Sequence, residues 1–160
     1  RLFLGTLREN LDMARSDRER DDDRLVAVLR QFGLDQFIAR HPRGLDMPLG
    51  EDGLGLSGGQ KRLACLARLA LRDPAVALLD EPTSGLDPGT EKQILQAIGQ
   101  WASAARERTL VVVTHRPQVL EIVDRVVVLE AGRVVVDGPR AAVVERLQKG
   151  IAVPAQGSGS

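Results

Sequence analysis

The feature that most limits the folds open to this chain is the stretch Leu56–Gln60, which stands directly before an apolar helical pattern. Ser57 is a favoured helix N-cap, and Gly58 and Gly59 leave the first amide groups of the helix unshielded by side chains. Apolar residues then recur at α-helical spacing, at Leu63, Leu66, Ala67 and Ala70. The pattern therefore predicts a helix that begins after Ser57, and bare amides at a helix N-terminus favour an anion.

A second stretch, Ala75–Pro82, is a short apolar run that ends in two acids, Asp80 and Glu81. Such a run is typical of a fully buried strand in a parallel sheet. Leu110–Thr114 has the same character and is followed by His115. Because ligands bind at the carboxyl ends of strands in open α/β sheets, we expect these polar residues to share one functional edge.

Together these motifs resemble the ATP-binding-cassette family. Leu56–Gln60 matches the signature of that family letter for letter, and Ala75–Glu81 is similar to its Walker B strand with the adjacent catalytic glutamate. Ser84–Asp87 matches the D-loop, and His115 resembles the switch histidine. The four motifs occur in the family's order and spacing, and the resemblance covers nearly the whole chain except its ends. It implies an α/β fold, namely a partial P-loop NTPase (RecA-like) core with a mostly parallel sheet, preceded by a helical subdomain.

Hydrolysis of ATP requires Mg²⁺ on the phosphates, an oriented water and groups that stabilise charge on the transferred phosphoryl. The resemblance assigns Asp80 to Mg²⁺ through a water ligand, Glu81 to the attacking water as base or polariser, and His115 to the γ-phosphate. Neighbouring residues in extended chain point apart, so Asp80 and Glu81 can serve different groups. Taken alone, an Asp-Glu pair at a strand end is more often an ordinary surface pair, and only the surrounding motifs favour the catalytic interpretation.

The remaining motifs are implied to act across a cassette dimer. In the family, the surface formed by Ser57, Gly58, Gly59 and Gln60 binds the γ-phosphate of ATP held by a second cassette. Asp87 would cross the same interface, and it is also predicted to be a helix N-cap. The implied partner is therefore a second copy of the complete protein, with ATP between the two cassettes.

Two stretches resemble exporters in particular. Leu2–Leu11 is similar to the sequence that follows the Q-loop glutamine in exporter-type cassettes, and its Thr6 and Glu9 suit a capping box. Pro48–Gly53 resembles the X-loop, which would place Glu51 against the coupling helices, although Glu51 also reads as an ordinary loop acid. The resemblance implies a transmembrane domain on the same chain, at the cytoplasmic face of a bacterial inner membrane. Type I secretion or peptide and protein exporters fit best, and a lipid or drug exporter stays open.

Departures from the family pattern bear on this assignment. Lys61 stands where glutamine or arginine is usual, and Gly85–Pro88 is also found in importers. No G-x-x-x-x-G-K-[ST] motif occurs in the 160 residues. We interpret the chain as a piece of a longer ATPase that is inactive alone, with a helical signature subdomain over 1–72, the second half of the ATP-binding core over 73–150 and a flexible tail over 151–160.

Composition excludes several other classes. The 22 basic and 22 acidic residues give a formal net charge of zero, which argues against a nucleic-acid partner. The single Cys65 excludes an intramolecular disulfide.

A soluble chromosome-maintenance cassette is the main alternative function, but Arg15–Arg40 is too short for its coiled coil. A non-catalytic interaction module is a third possible function. The presence of Asp80, Glu81 and His115 argues against it.

The other elements are predicted from helical periodicity, caps and turn residues, and the segment 41–55 is expected to be a loop. These elements are an amphipathic helix from Arg24 that stops at Gly33, a helix from Asp87 to about Ala105 with Trp101 in its apolar stripe, a hairpin of Arg125–Glu130 and Arg133–Asp137, and a closing helix over Pro139–Gln148.

Overall fold

The computed structural model describes residues 1–14 and 22–149, and these divide into two compact units whose boundary lies between His115 and Arg116. The predicted division at 72/73 stays a prediction, and the predicted tail over 151–160 lies outside the described residues. None of the described helices has the length and apolarity that crossing a bilayer requires.

The first unit contains most of the helices. In chain order its elements are β1 (Gly5–Thr6), α1 (Leu7–Asp12), α2 (Asp22–Gln31), α3 (Asp35–Arg40), a 3₁₀ helix (Gly44–Asp46), β2 (Pro48–Leu49), a second 3₁₀ helix (Glu51–Gly53), α4 (Gly58–Arg72), β3 (Val76–Asp80), α5 (Pro88–Ser103) and β4 (Thr109–Val113).

The β3–α5–β4 segment confirms the α/β class. β3 and β4 pair in parallel, with Val76 opposite Thr109 and Asp80 opposite Val113. α5 is the crossover that a parallel pair requires. Because the two strands run in one direction and end together, the chain that follows each of them emerges at the same edge.

The prediction that these two strands are fully buried is wrong. Ala77 is buried, but Leu78 is 75% exposed and Val113 is 62% exposed. Side chains alternate between the two faces of a strand, and here only one face is covered by the described residues. The continuous apolar run therefore does not correspond to a strand that is buried on both faces in this chain.

The helical core follows the sequence periodicity closely. α1 and α2 both pack against α4. The predicted stripe is confirmed, since all four of its side chains are buried: Leu25, Val28 and Leu29 of α2, and Phe32 just after it. Trp101 of α5 is also buried, as predicted. α4 therefore stands at the centre of the helical part, with its N-terminal turn at one end.

Segment 41–55 is not simply a loop. β2 pairs antiparallel with β1, with Gly5 opposite Leu49 and Thr6 opposite Pro48. Thr6 is also the N-cap of α1 in a reciprocal capping box with Glu9, as predicted. Strands of two residues are too short to show a period-two pattern, which is why the sequence did not reveal this pair.

The second unit contains a 3₁₀ helix (Pro117–Ile122), β5 (Arg125–Glu130), β6 (Arg133–Pro139) and α6 (Arg140–Gln148). β5 and β6 form the predicted antiparallel hairpin. Its two-residue turn, Ala131-Gly132, has φ of 48° and 77°, as tight hairpin turns require. The hairpin and the closing helix are thus both confirmed.

Candidate active site

The signature turn at the start of α4 is closed by a reciprocal capping box. The Ser57 hydroxyl oxygen accepts a hydrogen bond from the Gln60 amide at 3.2 Å, and the Ser57 amide donates to Gln60 Oε1 at 2.9 Å. The predicted cap is confirmed, while the role of Gln60 as its partner was not foreseen. Ser57 and Gly58 are exposed, so this helix end is open to a ligand.

Gly59 places the signature turn against the start of α5. A Cβ atom at Gly59 would lie 3.1 Å from Thr90 Cγ2 and 3.9 Å from Leu86 Cδ2, whereas one at Gly58 would have no neighbour within 4 Å. The two glycines therefore differ. A side chain at Gly59 would press on Thr90 at the start of α5, whereas Gly58 leaves open space above the helix end.

Asp87 is the N-cap of α5, as predicted. Its Oδ1 accepts a hydrogen bond from the Thr90 amide at 3.0 Å, and the residue is exposed. Hydrogen bonds from the Thr90 side chain and amide, with a smaller one from the Gly89 amide, lower the pKa of the Asp87 carboxyl below its ordinary value. The carboxylate is thus charged at neutral pH.

The second part of the site lies where β3 and β4 end together. The Glu81 carboxylate contacts His115 Nδ1 at 2.7 Å and accepts a hydrogen bond from the His115 amide at 3.1 Å, both through Oε1. Its Oε2 accepts a hydrogen bond from the Thr114 hydroxyl at 3.1 Å. The expected proximity of Glu81 and His115 is confirmed, and Thr114 is an additional partner that the sequence analysis missed.

These contacts determine the charge of Glu81. Partial burial raises the pKa of the carboxyl, but hydrogen bonds from His115 and Thr114 and the charge of His115 more than offset that effect. The pKa of Glu81 therefore lies below its ordinary value, and the group is a carboxylate at neutral pH. The His115 ring is 80% exposed, so its other nitrogen is accessible.

The backbone at Glu81 differs from the expectation. Extended geometry was assumed for both acids, but β3 ends at Asp80 and Glu81 has a φ of +44°, in the left-handed region that non-glycine residues rarely adopt. The Glu81 amide donates to the Val113 carbonyl at 2.9 Å. The two acids are therefore separated by a turn of the main chain rather than by strand alternation.

Arg62 is a residue of the site that the sequence analysis missed. Its Nη1 donates a hydrogen bond to the Glu81 carbonyl oxygen at 2.8 Å, which links α4 to the turn after β3. Arg62 begins a helical stripe that continues with Cys65, Leu66 and Leu69, but helical spacing does not show that this stripe faces Glu81. All four line one open cleft of about 690 Å³ that Asp80 and Glu81 also border.

Asp80 suits a magnesium ion by its chemistry. It is exposed at the end of β3, and a hard carboxylate oxygen is a ligand that Mg²⁺ prefers. Among residues 1–14 and 22–149 no group of three or more His, Cys, Asp or Glu side chains could hold a metal. An ion held at Asp80 would keep water among its other ligands, as Mg²⁺ commonly does.

Glu51 lies apart from these contacts. It is exposed at the start of the 3₁₀ helix Glu51–Gly53 and makes none of the hydrogen bonds of the Glu81–His115 pair. The loop is packed, since a Cβ atom at Gly53 would lie 2.8 Å from Leu2 Cδ1 and 3.4 Å from Lys61 Cγ. Glu51 is thus presented on an ordered loop beside the start of α4.

Comparisons with known proteins identify the family of this chain. A family model described as "AAA domain, putative AbiEii toxin, Type IV TA system" matches residues 2–121. The chain is 39% identical over 145 residues to the glutathione/L-cysteine transport system ATP-binding/permease protein CydC of Haemophilus influenzae, with 91% of this chain and 24% of that protein covered. It is 38% identical over 144 residues to the ATP-dependent lipid A-core flippase of Alkalilimnicola ehrlichii, with 90% and 24% covered.

A solved structure shows the same fold. The structure of a bacterial Atm1-family ABC exporter with ATP bound matches with a TM-score of 0.78 and 32% sequence identity. The alignment covers 91% of this chain and 25% of that one. The chain thus spans about a quarter of the length of each of these three proteins.

Proposed function

We propose that this chain, which belongs to the ATP-binding-cassette family and matches a model of an AAA domain, is part of the ATP-hydrolysing nucleotide-binding domain of a membrane exporter. In this proposal, ATP binding, hydrolysis and cassette dimerisation are coupled to transport. The observation that carries it is the Glu81–His115 contact at the common end of two parallel strands, beside an open cleft. The relatives reported above give no support to a soluble chromosome-maintenance protein.

Glu81 is proposed to polarise the attacking water. Its carboxylate is ionised, and its hydrogen bonds to Thr114 and His115 fix the directions of its remaining lone pairs. His115 contacts Oε1 through Nδ1, and its ring is otherwise largely exposed. In this proposal Nε2 donates a hydrogen bond to a γ-phosphate oxygen.

Asp80 is proposed to hold Mg²⁺ through water. When bound, the ion neutralises charge on the phosphates. Ser57, Gly58, Gly59 and Gln60 are proposed to bind the γ-phosphate of ATP on a second cassette, with Asp87 at the same interface. The exposed start of α4 and its packing against Thr90 support this assignment, because they bring the two motifs to one surface.

The partners follow from the relatives. Those named as ATP-binding/permease proteins support a transmembrane domain on the same chain, with the cassette at the cytoplasmic face of a bacterial inner membrane. We propose that Glu51 contacts that transmembrane domain. Type I secretion remains a narrower hypothesis, and the relatives reported above are named for glutathione and cysteine transport and for lipid A-core transfer.

The experiment is Glu81→Gln in a complete protein that carries this chain. We expect ATP turnover to fall by about two orders of magnitude or more while ATP still binds, because the amide keeps the shape but loses the charge that polarises water. Size-exclusion chromatography with ATP should show a trapped dimer. Glu107→Gln is the matched control, since Glu107 is an exposed glutamate outside the site. Normal turnover in Glu81→Gln would reassign the base.

A further inference from the structure

The main chain of Glu81 is held from two sides. Its amide donates to Val113 of β4 at 2.9 Å, and its carbonyl oxygen accepts hydrogen bonds from Arg62 Nη1 at 2.8 Å and from the Ser84 amide at 3.2 Å. The residue adopts a φ of +44°, which is disfavoured for glutamate. Such a conformation persists only where surrounding contacts maintain it, so these hydrogen bonds maintain the direction in which the carboxylate leaves the backbone.

Arg62 is the only one of these partners that reaches Glu81 by a side chain from a different part of the fold. It lies on α4, half-buried, with its guanidinium at the wall of the cleft. An arginine fork is planar and pre-organised, so it loses little freedom when it donates to a carbonyl. The contact therefore ties the turn after β3 to the body of α4.

The same helix carries the signature turn. Arg62 follows Ser57 by five residues, which corresponds to about 7.5 Å along an α-helix. α4 is 15 residues long, and its buried residues run from Leu63 to Leu71. A displacement of its N-terminus is therefore transmitted to Arg62 as a movement of the helix.

We propose that Arg62 is a positioning residue that couples the signature turn to the orientation of Glu81. It touches neither the water nor the phosphate in this assignment. It acts by fixing the left-handed turn from which the carboxylate projects, so that movement of α4 on binding an anion at Ser57–Gln60 changes the aim of Glu81. The inference rests on the proposed function, because it assigns a support to the residue that acts there on water.

A structural role and a positioning role predict different kinetics. If Arg62 only stabilised the fold, its loss would reduce the amount of active protein and leave the properties of each folded molecule unchanged. If it positions Glu81, each folded molecule binds ATP normally and turns over slowly. The separation of kcat from KM therefore distinguishes the two roles.

The test compares Arg62→Met, Arg62→Lys and Arg68→Met in a complete protein that carries this chain. Arg68 is the matched control because it lies on the same helix, is also half-buried, and donates a hydrogen bond to a carbonyl, that of Arg1 at 2.6 Å. We expect Arg62→Met to lower kcat by about tenfold to a hundredfold, the range that a misaimed catalytic group can cost. KM for ATP should stay within about twofold, and Arg68→Met should change kcat by no more than about twofold.

Arg62→Lys should recover part of the lost kcat, because an ammonium keeps one donor but not the rigid fork. In a double-mutant cycle, Arg62→Met should add nothing to Glu81→Gln, since it acts through that carboxylate. The proposal is overturned if Arg62→Met lowers kcat no more than Arg68→Met, or only in proportion to the fraction of folded protein. If Glu81→Gln alone retains normal turnover, it is the proposed function that fails.

Discussion

At the scale of single residues, Glu81 collects the contacts on which the site depends. Thr114 and His115 bind its carboxylate from the end of β4, and Arg62 binds its carbonyl from α4. The sequence indicated Glu81 and His115 because each lies in a stretch that matches a motif of the family. It did not indicate Thr114 or Arg62, because their roles come from distances across 33 and 19 residues of chain.

Thr114→Val tests whether the hydroxyl contact matters for turnover. Valine has the shape of threonine but cannot donate to Glu81 Oε2, so one of the bonds that aim the carboxylate is lost. We expect kcat to fall by about tenfold, a modest part of what a misplaced catalytic group can cost. Thr109→Val, at the other end of β4, is the control and should leave steady-state turnover unchanged.

At the scale of elements, the helices followed from the sequence and the environment of the strands did not. Caps and periodicity are local, so Ser57 and Asp87 were identified as the residues before α4 and α5. Burial of a strand depends on what packs on each face, which a run of apolar letters does not encode. Leu78 is therefore an apolar residue of the kind usual in a core, but its side chain is largely exposed.

The exposure of Leu78 gives a stability prediction for the 160-residue chain. Ile94 of α5 is fully buried, whereas Leu78 is 75% exposed. Ile94→Ala should lower the free energy of unfolding by about 2–5 kcal/mol, because it leaves a cavity. Leu78→Ala should change it by no more than about 0.5 kcal/mol, as at other surface positions. Urea denaturation measures both, and equal losses would show that the outer face of β3 is covered.

The cap of α5 gives a prediction on pH. Because the pKa of Asp87 is lowered in the folded chain, its contribution to stability is present above the ordinary aspartate pKa of 3.8 and is lost as pH falls through the lower folded value. Asp87→Ala should therefore melt at a lower temperature than the parent at pH 7. The difference should shrink below pH 3.8, as thermal melts across the acid range would show. A difference in melting temperature that stays constant with pH would show that the charge of the Asp87 carboxylate does not stabilise the start of α5.

At the scale of the whole molecule, the sequence predicted the family and the α/β class, while the division at 72/73 stays a prediction. The motifs are short and occur in a fixed order along the chain, so they can be identified from the sequence alone. The boundary of the first compact unit at His115 depends on the density of contacts throughout each unit, which no local pattern reports.

The lack of a G-x-x-x-x-G-K-[ST] loop in the 160 residues sets the expected activity of the isolated chain. The phosphate cradle and the lysine that contacts the β- and γ-phosphates would have to come from elsewhere. We therefore expect no Mg²⁺-dependent ATP turnover above background from the 160-residue chain alone. A phosphate-release assay with the Glu81→Gln chain as baseline measures this, and turnover that disappears in that variant would refute it.

The left-handed conformation at residue 81 has an evolutionary consequence. Glycine would adopt this φ without penalty, and asparagine or aspartate adopt it more readily than glutamate does. These residues are thus conformationally easier at this position, and none of them offers a carboxylate at the same distance from the backbone. Folding and the proposed hydrolysis therefore favour different residues at this one position.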